Sequence, residues 1–124
     1  MTMKKQLENL RRLKEVAELS LNAELAKLSE IKREEQPLRV KLNELEASRK
    51  QRAEFVGGAT DFDIASLMGV DGAWDRWAAK QQRQIMQDLA KVAERREAQL
   101  ERTRKAFGKK DALGKLAERI EKPS

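Results

Sequence analysis

No cysteine, histidine or tyrosine occurs anywhere in this 124-residue chain, and aromatic residues make up only 4% of it. Without cysteine there is no disulfide, no thiolate metal site and no thiol nucleophile. The lack of histidine removes the commonest general base and the commonest metal ligand. Long apolar runs are also missing. No stretch approaches the roughly 18 apolar residues that span a bilayer, and Met1-Thr2-Met3-Lys4-Lys5 is not followed by the apolar core of a secretory signal. A cytoplasmic protein that does not insert into membranes is expected. A phosphate-cradling glycine loop ending in Lys-Ser/Thr is absent too; Gly114-Lys115-Leu116 has neither the loop nor the hydroxyl. Asp61-Phe62-Asp63 offers two carboxylates, too few ligands for a metal. Glutamates and lysines are plentiful, but an extended helix pair has no water-excluding pocket to tune them. No enzymatic activity, cofactor or metal is expected.

What the chain has is charge and leucine in a strict period. Charged residues are 39% of the total. From Met3 to Leu45, apolar residues recur in alternating steps of four and three, through Leu7, Leu10, Leu21, Leu28, Leu38 and Leu42. A weaker series runs from Ala78 through Ile85, Leu89, Val92, Ala106 and Leu113 to Ile120. Residues spaced in this way share one helix face and are buried only by a partner helix. Disordered chains of similar polarity lack such a repeat. The two series are separated by a glycine-rich, acidic break over 56–72. The fold class that follows is all-α: a long antiparallel two-helix coiled-coil hairpin with a short tip segment, forming a single domain over 1–124.

The spacing predicts helix one over about 3–55, capped by Thr2 and roughly 75–80 Å long. Pro37 costs it a hydrogen bond, and because the apolar register continues across it, a kink is expected without a change of direction. The tip, 56–72, is expected to hold a short helical turn that gathers Phe62, Ile64, Leu67 and Met68. Asp71 then caps helix two, which runs over about 73–121 with fraying or a bend at Gly108 and Gly114. With the turn centred near residue 64, residue i of helix one faces a residue numbered about 128 − i. That places Glu24 beside Arg104, and Glu35 near Arg95 or Arg96, so that charges within the seam oppose each other.

Charge is distributed unevenly. Residues 1–55 carry 13 basic and 10 acidic side chains, whereas 56–72 carry three aspartates and no base. Residues 73–124 carry 14 basic and 8 acidic side chains, with the excess at Arg102, Arg104, Lys105, Lys109, Lys110 and Lys115. An acidic tip and a basic open end suit two different partners. Four residues, Leu13, Val16, Leu19 and Leu25, lie off the main seam. They imply a second contact, made either by a folded-back C-terminal segment or by another protein. Trp74 and Trp77, three apart on one face, either close the hairpin over the tip or anchor a partner there. The candidate partner-binding residues are therefore Arg102, Arg104, Lys105, Lys109, Lys110, Leu13, Leu19, Trp74 and Trp77. Nucleic acid is disfavoured as the partner, since acids interrupt the basic residues and few aromatics are available for base stacking.

Several of these elements together resemble the FliJ/YscO family of coiled-coil proteins from bacterial flagellar and type III secretion export machines. They are the opening Lys4-x-x-Leu7-x-x-Leu10, two long helices, tryptophans at the start of the second, Gln-Ile-Met-Gln-Asp-Leu-Ala-Lys-Val at 84–92, and the basic tail with Ala-Leu-Gly-Lys-Leu-Ala-Glu-Arg at 112–119. The resemblance implies a two-helix stalk that inserts its terminal end into a hexameric export ATPase, contacts the membrane export gate and escorts export chaperones. It implies a location at the cytoplasmic face of the inner membrane. By the family pattern, the gate-contacting band falls on Leu38, Leu42, Leu45 and Arg49 and on Ile85, Leu89, Val92 and Arg96.

Overall fold

A computed structural model describes residues 2–57 and 61–121, with side chains described for 2–55 and 72–121. Two helices account for them, α1 (Met3–Gly57) and α2 (Asp61–Glu121), packed against each other as an all-α hairpin. Thr2 caps α1 as its sequence suggests. The Lys5 N–H donates to Thr2 Oγ1 at 3.4 Å, and the Thr2 carbonyl accepts from the Lys5 and Gln6 N–H groups.

Pro37 lies inside α1, which is helical on both sides of it. The proline removes one amide donor, but the chain around it is rich in Leu, Glu, Lys and Arg, which favour the helix. α2 differs from expectation at its start. It begins at Asp61 rather than beyond residue 72, so the expected cap at Asp71 lies within the helix. It also continues without a break through Gly108 and Gly114 to Glu121. None of the glycines in the described backbone has a positive φ, and no proline occurs between Pro37 and Pro123. Each glycine therefore costs the helix about 1 kcal/mol without interrupting it. The Phe62, Ile64, Leu67 and Met68 cluster expected at the tip lies outside the residues whose side chains are described, as do Asp61, Asp63 and Asp71.

Two units make up the hairpin, Met1–Lys32 with Glu94–Ser124 and Arg33–Ala93. In the first, Ala17, Leu21, Leu28 and Ile31 of α1 are buried with Gln99 and Ala106 of α2. In the second, Leu45 is buried with Ala78 and Val92, and so is the charged Glu35. The shielded positions of α1 follow the heptad from Leu7 to Arg52 without a slip, but not all are apolar. Lys14, Glu24, Glu35, Arg49 and Arg52 take their turns in it. Polar residues at such positions lower stability and specify register.

Candidate functional site

Several polar seam residues find partners within their own unit. In the first, Gln99 is only 5% exposed, and its Nε2 donates to the Glu24 carbonyl at 3.0 Å and to the Glu24 carboxylate. Lys27 approaches the same carboxylate at 3.6 Å. The Gln99 hydrogen bond, helped by the charges of Lys27 and Arg102, holds the Glu24 carboxyl below its ordinary pKa of 4.5 against the opposing effect of desolvation. The expected partner, Arg104, is instead 3.9 Å from Glu101 of its own helix. Thr103 and Ala106 face α1, and Arg104, one step of about 100° from Thr103, turns away. Arg11 reaches Glu121 at 3.1 Å near the helix ends. In the second unit, Glu35 accepts from Arg39 Nε at 3.0 Å and from a second Arg39 nitrogen at 2.6 Å, a contact within α1. Arg49 donates to the Gln82 side-chain oxygen.

The tryptophans form a small structural cluster in the second unit. Arg52 Cζ lies 4.3 Å from the Trp74 ring centroid, a cation–π contact from α1 to α2. Trp74 and Trp77 have ring centroids 6.1 Å apart and are tilted by 46°. Trp74 is half-buried, whereas Trp77 is 52% exposed beside a recess of about 370 Å³ shared with Leu45, Ser48 and Ile85. One ring thus serves the helix pair and the other faces outward.

Among the basic candidates the structure makes a division. Arg102, Lys105 and Lys109 lie three and four apart and share one stripe of α2, whereas Arg104 points elsewhere and Lys110 is half-buried along the seam. On α1, Leu13 is 54% exposed, Val16 63% and Leu19 69%. No folded-back segment among the described residues covers them, because α2 stays helical to Glu121 and is itself the partner of α1. Leu13 and Val16 line a recess of about 460 Å³ with Ser20 of α1 and Lys109, Ala112 and Leu113 of α2.

The band that the family resemblance assigns to gate contact is employed differently here. Leu38, Leu42, Leu45, Arg49, Ile85, Leu89, Val92 and Arg96 are all buried or half-buried. They occupy pairing positions, because their four-and-three spacing is that of the seam itself. Sequence reasoning passed over Gln99 and Arg52. The signal was available for both, since each continues the heptad of its helix despite being polar. Among the described residues, no helix is long and apolar enough to cross a membrane, and no group of three or more acidic, histidine or cysteine side chains could hold a metal ion. No family model, curated protein or solved structure matches the chain.

Proposed function

We propose that the chain is a non-enzymatic coiled-coil connector of a bacterial flagellar or type III protein-export apparatus. It links the hexameric export ATPase to the export gate at the cytoplasmic face of the inner membrane and escorts export chaperones. The observation that carries the interaction role is the coexistence of a buried helix–helix seam with exposed Leu13, Val16 and Leu19 outside it. A helix pair that needed only itself would have charged residues there. The assignment to the export apparatus rests on the resemblance of 4–10, 84–92 and 112–119 to that family. Without the family motifs, the same surfaces describe a coiled-coil adaptor for other proteins.

Co-purification from cells expressing a hexameric export ATPase tests the assignment. The wild-type chain captures the ATPase, and a variant with Arg102, Lys105 and Lys109 changed to Glu does not. Failure of the wild type to capture it at low salt, or unchanged capture by the variant, contradicts the assignment. A nucleic-acid reading has the basic stripe of α2 in its favour. It requires RNA or DNA binding that falls steeply with salt, and the apolar stripe of α1 beside it has no use in that reading.

A further inference from the structure

The first unit carries a groove with two unlike walls. Along α2, residues 95, 98, 102, 105, 109, 112, 116 and 119 recur at steps of three and four and lie on one side of the pairing seam. Arg95, Ala98 and Arg102 line one recess there, and Lys109 and Ala112 line the next. Lys105 is seven residues from both Ala98 and Ala112, so it stands on the same stripe between the recesses. The stripe contains three arginines and two lysines, Leu116 exposed near its end, and no acid. The facing wall belongs to α1 and reads Leu13, Val16, Ser20 and Ala23 before Lys27 and Glu30. It is apolar or small for nearly three turns. Lys105 and Lys109 have no ion pair among the described residues, whereas Lys115 and Arg104 on other faces of α2 are paired within their helix at 3.0 and 3.9 Å.

We infer that this groove is a docking site for an acidic amphipathic helix of a partner protein. A third helix laid along the groove buries its apolar face on Leu13, Val16, Ala112 and Leu116 and sets carboxylates against Arg102, Lys105 and Lys109. The charge pattern excludes the alternatives at the level of complementarity. A basic helix would meet like charge along the whole α2 wall, and an uncharged one would leave the lysine heads desolvated without partners. From Arg95 to Leu116 the wall is about 32 Å long, so it accommodates a helix of roughly 20 residues. The inference depends on the groove alone and stands whether or not the partner belongs to an export apparatus.

Binding of two labelled synthetic helices to the full chain, read by fluorescence anisotropy, tests it. One carries Leu and Ile on one face flanked by Glu, and the other is identical but flanked by Lys. The Glu-flanked helix binds at one per chain and at least about tenfold tighter than its counterpart. Leu13→Asp with Val16→Asp, both at exposed positions, weakens it by about tenfold or more while circular dichroism stays unchanged. Lys105→Glu with Lys109→Glu reverses the preference in favour of the Lys-flanked helix, a gain that misfolding cannot produce. Equal binding of the two helices, no binding of either, or indifference to the Leu13 and Val16 changes overturns the inference. So does self-association of the chain that the same changes abolish, because a second copy would then occupy the groove. An RNA that binds as tightly as the Glu-flanked helix and ignores the Leu13 and Val16 changes also overturns it.

Discussion

Glu24 and Gln99 show how individual residues set the register of this helix pair. A carboxylate and an amide meet where the heptad calls for leucine, and each satisfies the other across the seam. Because the Glu24 pKa is depressed in the folded protein, its stabilising contribution is full above the unfolded value near 4.5 and is lost as pH falls through the folded one. Urea melts of wild type and Glu24→Gln should therefore diverge least in acid and most above pH 4.5, with the wild type gaining more stability as pH rises. Parallel pH dependence in the two would contradict the role assigned to the Gln99 contact. Truncation at two other positions separates seam from surface. Ile31 is 6% exposed, and Ile31→Ala should cost about 2–3 kcal/mol, whereas Leu19→Ala should change stability by no more than about 0.5 kcal/mol. Denaturant midpoints give both. Leu19 contributes little to folding on this account.

At the level of the helices, the four-and-three spacing was legible and proved sufficient for the fold. Met3 to Leu45 and Ala78 to Ile120 both lie on paired helices, and Thr2 caps α1 as its side chain allows. The early start of α2 and its continuity past Gly108 share one physical source: glycine weakens a helix but does not end it as proline does. Gly72, Gly108 and Gly114 each cost a helix about 1 kcal/mol, and the surrounding seam contacts of α2 outweigh that cost. Gly108 is the clearest test, because a Cβ added there meets no atom within 4 Å. Gly108→Ala should stabilise the protein by about 1 kcal/mol, measured by urea unfolding. A loss of stability would show that the glycine is needed for its conformation. The pairing of Glu24 was misjudged for a different reason. Heptad spacing fixes the facing register only to within about a turn, and a single residue rotates a side chain by about 100°. Periodicity identifies which face is buried more securely than it identifies which two residues touch.

The whole molecule carries a net charge of +6, and the arrangement of that charge matters more than its size. Summed by segment, Arg102, Arg104, Lys105, Lys109 and Lys110 form a single basic cluster. The helix turns them in different directions and leaves Arg102, Lys105 and Lys109 on one stripe, of which Lys109 lies beside Leu13 and Val16. That juxtaposition joins residues about 90 positions apart in sequence and depends on antiparallel pairing; it could not be found before the partner stripe was known. The seam, the outward leucines and the groove all depend on α1 and α2 pairing within one chain. The absence of native cysteine permits a direct test with Lys14→Cys and Gly114→Cys, since a Cβ at 114 lies 4.0 Å from the end of the Lys14 stem. A spin-label distance between the two sites, measured at low concentration and diluted with unlabelled chain, should be short and unaffected by the dilution. A short distance that disappears on dilution, or a long one throughout, would mean that the helices pair between chains.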